Sequence, residues 1–220
     1  MTQAEDKALE EFIKEQYAKE YIRPSKSPYA SPFFFIKRRD RKLRLVQDYW
    51  RLNSVTVKNQ YPLPLILDLT ASFSGAHIFT KLDLCWGYNN VCIKVGDEHK
   101  ATFKTKYGLW EPTVMFFGLC NSLSTFQAMM DWIFRPLIEK WEPRGTNISK
   151  YMDNIAVATC INMKDHIAAI TDVLELAMQH DLFFKPEKYI FHAPWMDYLG
   201  IIIEKGMTHM DPIKAEGIQN

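Results

Sequence analysis

The feature that most constrains this chain is a pair of short apolar runs, each carrying an acid where it ends or turns. Ile78-Phe79-Thr80-Lys81-Leu82 leads into Asp83, and Ile148 to Ala158 alternates around Met152-Asp153-Asn154. Runs of this length and composition read as strands, the second as a hairpin with the acid at its tip. A lone Asp at a strand end is ordinarily a turn former or a helix cap. Two acids from different strands can instead converge on a hard cation, because carboxylate oxygens with retained water are the preferred surroundings of Mg²⁺. Two such ions roughly 3.5 to 4 Å apart activate an attacking hydroxyl and neutralise a leaving phosphate. Spacing alone leaves both readings open.

Composition excludes several classes. With 220 residues, 47% of them hydrophobic, and a net charge of +1, the chain can bury a core and is neither a disordered tail nor a low-complexity repeat. No apolar run approaches the roughly 18 residues needed to cross a bilayer, and Met1 to Glu20 is charged throughout, unlike a signal peptide. A soluble intracellular protein is expected, in cytoplasm or nucleus, with no membrane partner. Cys85, Cys92, Cys120 and Cys160 are unevenly spaced with no CxxC pair, which reads as small buried hydrophobes in a reducing compartment. The histidines show no metal-ligand spacing, so any metal is expected on carboxylates.

Near-neutrality conceals an asymmetry. Between Arg23 and Lys58 stand ten Lys or Arg against Asp40 and Asp48, a local net of +8, which leaves −7 for the remainder. The cations are interleaved with Phe33, Phe34, Phe35, Ile36, Leu43, Leu45 and Val46 in two runs separated by Arg39-Asp40-Arg41. That reads as a hairpin presenting cations beside apolar anchors, suited to phosphate, although a charge run is more often a solvated face.

Periodicity predicts an amphipathic helix from Ala4 to Lys19, an extended segment across Pro24, Pro28 and Pro32, and a short helix around Leu65 to Phe73. Strands are predicted at His77 to Leu84 and Asn90 to Val95, flanking a turn at Trp86-Gly87. A long helix follows over Leu119 to Trp141, then the Ile148 to Ala158 hairpin, a helix from Asp165 to His180, and a last hairpin within Asp197 to Met210 turning near Lys205-Gly206. This order indicates an α+β fold, an antiparallel sheet backed by helices.

Ordered blocks narrow the function. Lys81-Leu82-Asp83-Leu84-Cys85-Trp86-Gly87-Tyr88, Phe117-Gly118-Leu119-Cys120-Asn121-Ser122-Leu123-Ser124-Thr125-Phe126-Gln127, Tyr151-Met152-Asp153-Asn154 and Tyr198-Leu199-Gly200 follow one another, preceded by Ile22 to Pro32, Asp48 to Asn53 and Tyr61 to Pro64. Together they resemble the reverse transcriptase of gypsy-type LTR retrotransposons, from about Phe12 to Pro212. The resemblance implies a right-hand polymerase fold with an antiparallel palm sheet backed by helices. Fingers would comprise 1–57 and 91–121, and palm 58–90 and 122–210 including the primer-grip hairpin. The segment 211–220 would begin a thumb that is otherwise missing, along with the RNase H normally in the same polyprotein.

The implied activity is RNA-directed DNA polymerisation on an RNA or DNA template with primer, consuming dNTPs. Asp83, Asp153 and Asn154 would be catalytic, with Asp83, the Leu84 carbonyl and Asp153 holding two Mg²⁺ ions or Mn²⁺ in their place. Arg38, Arg44, Tyr88, Phe117 and Gly118 would bind the nucleotide, Tyr88 excluding a 2′-hydroxyl. Gln127, Tyr151, Met152, Tyr198, Leu199 and Gly200 would contact template and primer, and Lys188 is a candidate proton donor to pyrophosphate. The chain departs from the pattern at Asn154, where the family has a second aspartate. It departs also at Leu123, in place of proline, and at Trp50, in place of a basic residue. Asn154 supplies a carbonyl oxygen but no charge. That substitution and the truncation lower the expected activity, and a non-catalytic nucleic-acid-binding remnant is the alternative.

Overall fold

In chain order the elements of the computed structural model, which describes residues 1–37, 43–204 and 207–210, are α1 (Gln3–Ala18), β1 (Ile22–Pro24), β2 (Phe33–Lys37), β3 (Leu43–Gln47), α2 (Trp50–Val55), α3 (Ile66–Ala71) and β4 (Ile78–Asp83). Then come β5 (Phe103–Thr105), β6 (Gly108–Pro112), α4 (Ser122–Trp141), β7 (Thr146–Tyr151), β8 (Asn154–Thr159), α5 (Met163–Gln179), β9 (Ile190–Ala193), β10 (Trp195–Tyr198), β11 (Ile201–Glu204) and β12 (Met207–Met210). The expected turns at Arg39-Asp40-Arg41 and Lys205-Gly206, and the segment 211–220, lie outside the described residues. Two compact units divide the chain, Met1–Gln60 with Tyr88–Phe126 and Tyr61–Gly87 with Gln127–Asn220.

In the first unit, α1 begins at a capping box. The Thr2 hydroxyl accepts from the Glu5 N–H at 3.3 Å, and the Thr2 N–H donates to the Glu5 carboxylate at 2.7 Å. Its apolar stripe buries Leu9 and Ile13 against Ile22, Leu45, Phe103 and Phe116. The strands form an antiparallel sheet of order β1-β6-β5 and the separate hairpin β2-β3. Tyr49 closes this core, its buried hydroxyl donating to the Ala101 carbonyl at 2.9 Å.

The second unit is built on a four-stranded antiparallel sheet of order β7-β8-β4-β9, with α5 packed against β8 and β4. Phe73, Phe79, Ala156, Ala158, Met196, Tyr198 and Ile203 fill its core, partly under the meander β10-β11-β12. Strand β8 is buried along nearly its whole length, which is why Ile155-Ala156-Val157-Ala158 has no polar face.

Two expectations are corrected, and three elements are added. Asn90 to Val95 is not a strand: a 3₁₀ turn covers Gly87–Asn90, and the segment makes only an isolated bridge, Cys92 to Val114. The polar Tyr88-Asn89-Asn90 favours a turn, with the Asn89 side chain donating to the Met115 carbonyl at 3.0 Å, while β4 finds its neighbours in β8 and β9. Strands β5 and β6 and helix α2 were not legible as elements. Nor is any cysteine buried: Cys92 and Cys160 are exposed, Cys85 and Cys120 half-exposed, because they stand at bends and element ends. Among the described residues, no helix is long and apolar enough to cross a membrane.

Candidate active site

Strand register creates the site in the second unit. β4 and β8 pair so that Asp83 lies opposite Asn154, and β7 joins β8 through the two-residue turn Met152-Asp153. The Leu84 N–H donates to the Asp153 carbonyl at 2.7 Å, extending the ladder by one bond and fixing the tip beside Asp83. Met152 occupies the left-handed region at φ 55°, an unfavourable place for a side chain outside glycine. A half-buried network centred on the buried Gln127 holds it there. Gln127 Oε1 accepts the Met152 N–H at 2.9 Å while its Nε2 donates to Asp131 at 2.9 Å, and Asp131 also pairs with Lys150 at 2.9 Å and accepts from the Tyr61 hydroxyl at 2.5 Å.

The electrostatics are those of crowded like charges. Burial, and after it the neighbouring Asp83 charge, push the Asp153 carboxyl above its ordinary value; Lys185 and Lys188 partly oppose this. Asp83 is only 7% exposed, and its carboxylate receives Lys185 Nζ on one oxygen and Lys188 Nζ at 3.2 Å on the other. The Asn154 amide donates to Asp153 Oδ1 at 3.2 Å. Asp83 and Asp153, with the Asn154 amide beside them, bring oxygen donors of the kind that suits a hydrated hard cation, and relief of the Asp83–Asp153 repulsion favours one. Among the described residues, no three His, Cys, Asp or Glu are grouped to share a metal ion, so the site has fewer charges than a three-carboxylate cage.

The first unit carries a second constellation. The Arg44 guanidinium lies 4.0 Å from the centroid of the Phe117 ring, a cation–π contact that orients its fork. Tyr88 packs edge-to-face on Phe117 and Phe126, with centroids 5.0 and 5.7 Å away. Gly118 follows at φ 99°, and a Cβ there would come within 3.1 Å of the Gln47 carbonyl oxygen. Asn53 clamps this bend, donating to the Gly118 carbonyl at 2.7 Å and accepting the Cys120 N–H at 2.9 Å.

The remaining expected residues fall unevenly. Gln127 and Tyr198, expected at template and primer, are both fully buried in the described structure. The Gln127 side chain accepts the Met152 N–H in the acid turn, and the Tyr198 hydroxyl shares a hydrogen bond of 3.3 Å with Ser149. Leu199 and Gly200, both at positive φ, form the turn between β10 and β11, and Tyr151 and Met152 remain half-exposed. Lys188 reaches Asp83, whereas Arg38 lies outside the described residues. Lys185, Asn53 and Asp131 were not anticipated. Asn53 ends the Asp48 to Asn53 block, but the contacts of Lys185 and Asp131 depend on distant partners that no local pattern encodes.

A family model described as reverse transcriptase (RNA-dependent DNA polymerase) matches residues 36–203. Over 188 residues the chain is 35% identical to the Transposon Tf2-7 and Tf2-3 polyproteins of Schizosaccharomyces pombe, a match covering 85% of this chain and 14% of each polyprotein. The chain therefore spans only that small share of those relatives. In fold it is similar to a foamy viral protease-reverse transcriptase in complex with dsDNA, at TM-score 0.88 and 17% identity, covering 100% of this chain and 44% of the other. The same viral protein in complex with RNA/DNA hybrid gives TM-score 0.88 at 16% identity, covering 100% of this chain and 28% of the other.

Proposed function

The chain belongs to the reverse transcriptase (RNA-dependent DNA polymerase) family, of LTR-retrotransposon type, and on that premise we propose that it extends a primer on an RNA or DNA template by adding dNTPs through Asp83 and Asp153. The first unit acts as fingers and the second as palm. One observation carries the reading: strand register sets Asp83 against the 153–154 turn, where its charge, after burial, helps push the Asp153 carboxyl above its ordinary value. Asp83, Asp153 and the Leu84 carbonyl would hold the divalent cations, with Asn154 offering a neutral oxygen. Mg²⁺ or Mn²⁺ bound there supplies activation of the primer 3′-hydroxyl and charge neutralisation at the leaving pyrophosphate.

The chain's own groups do the rest. Arg44, oriented on Phe117, supplies a planar multi-donor cation for the triphosphate. Tyr88, fixed between Phe117 and Phe126, presents a rigid wall to the sugar. Lys188, 3.2 Å from Asp83, holds a proton within reach of a leaving oxygen. The hydrogen bonds from Gln127 keep Met152 and hence Asp153 from drifting.

Primer extension on a homopolymer template, with Mg²⁺ and with Mn²⁺, tests this. Asn154→Asp restores a carboxylate and should raise the rate about tenfold at limiting metal, the scale of one modest electrostatic contribution. Failure of wild type and N154D alike, with template-primer still bound, would sink the enzymatic reading.

The neutral Asn154 and the two lysines on Asp83 favour a second reading, a binding module without catalysis. Its signature is salt-sensitive nucleic-acid binding that weakens in Arg44→Ala and is indifferent to Asp83→Ala.

A further inference from the structure

We propose that Lys185 is a built-in counter-ion of Asp83, competing with the divalent cation for its carboxylate, so that metal binding requires displacement of a tethered ammonium. The inference rests on the metal-site reading above.

The backbone makes this contact specific. The Lys185 N–H donates to the Asp83 carbonyl at 2.8 Å, and the Cys85 N–H donates to the Phe183 carbonyl at 2.6 Å, with Leu84 and Phe184 in an antiparallel bridge between them. Residues 183–185 thus pair with 83–85, and Lys185 is held opposite the residue whose carboxylate it binds. Its Nζ meets Asp83 Oδ1 with a side chain only 27% exposed, whereas Lys188 reaches Oδ2 with a side chain 54% exposed. The sheltered pair is the stronger, because solvent screens it less.

Charge counting gives the consequence. Asp83 and Asp153 contribute two negative charges and Lys185 and Lys188 two positive ones, with Asn154 neutral, so the four charged groups sum to zero. A divalent ion binds a cluster of zero net charge weakly, and its affinity rises when an ammonium leaves. An ammonium also has no coordination geometry to satisfy, so the ion pair keeps Asp83 in place while leaving its oxygens open to exchange.

The experiment is Mn²⁺ binding to the full 220-residue chain, measured by loss of the free-ion electron paramagnetic resonance signal, for wild type, Lys185→Met, Lys185→Arg and each of these with Asp153→Asn. Circular dichroism melts establish that every variant folds. K185M should bind Mn²⁺ about tenfold more tightly than wild type, a single nearby charge being worth at least that factor, and K185R should match wild type. If K185M binds no more tightly than wild type, or K185R tightens as much as K185M, the counter-ion role is wrong, while binding that still depends on Asp153 leaves the metal site intact. If Mn²⁺ binding is indifferent to D153N throughout, the metal-site reading falls and the inference with it.

Discussion

The two hairpins on which the proposed chemistry depends are built to opposite specifications. β2-β3 is a two-stranded ribbon whose outer face shows Phe34 at 48% and Ile36 at 42% exposure. β7-β8 is embedded in a four-stranded sheet, its second strand buried from Ile155 to Thr159 and its turn held by a side-chain network. The difference follows from what each would hold. A carboxylate set for a metal must be placed to within about half an ångström, which a packed strand with locked neighbours provides. A guanidinium seeking phosphate needs charge and reach, and one aromatic platform such as Phe117 is enough to aim it.

The largest break of that contrast comes from Asp153→Asn. It should lower primer extension by about 10³-fold, on the scale of several kcal/mol of transition-state charge stabilisation, while the melting temperature holds or rises. Burial and Asp83 already disfavour the Asp153 charge, so an isosteric neutral group relieves repulsion. A steep fall in melting temperature would show the acid to be structural rather than functional.

Next is acid stability in the rigid unit. His166 is fully buried, with Nε2 2.9 Å from the Thr80 hydroxyl and Nδ1 2.8 Å from the Thr159 hydroxyl, and burial together with His192 holds its pKa down to about 4. Below about pH 6.5 the unfolded chain takes up a proton that the folded chain refuses until about pH 4. Stability should therefore fall through that window by about 3 kcal/mol and level off beneath it. Urea titrations from pH 7 to 4 on wild type and His166→Gln test this, the variant giving the shallower slope; parallel slopes would exclude the histidine as the cause.

In the other unit, Gly118→Ala should cost about 2 kcal/mol in chemical denaturation, because φ 99° strains an alanine and its Cβ crowds the Gln47 carbonyl. Free tolerance of alanine would mean that the bend adjusts, making the unit softer still. The smallest effect sharpens the contrast further: Arg44→Lys should raise the KM for dNTP about fivefold through roughly 1 kcal/mol of lost stacking and bidentate geometry, with kcat little changed. An equal loss in kcat would give Arg44 the same positional demands as the acids.

Legibility in the sequence tracked how local the causes were. β4 and the β7-β8 hairpin announced themselves because short, mostly apolar runs, each closed by an acid or alternating about one, are too short for a helix and too apolar for a loop. The long helix announced itself too, though it begins at Ser122 rather than Leu119, since Asn53 holds the preceding bend out of helical geometry. The β5-β6 hairpin was hidden by its short strands, Tyr107-Gly108 being its one turn signal. Of the candidate site, the two acid-bearing turns that strand register brings together stood out in the motif order. Gln127 was assigned to the template because nothing in Phe126-Gln127-Ala128 reveals that its amide is spent on Met152, twenty-five residues away. Lys185 was invisible for the same reason, its partner being 102 residues distant.

Strand β4 lies between β8 and β9, paired on both edges. Expressed in time, amides of such a strand exchange with solvent only through opening of the surrounding unit, while those of a two-stranded ribbon exchange through small local fluctuations. Asp83 is therefore tethered to backbone that should be among the last to exchange, and its address persists for as long as the unit itself stays folded.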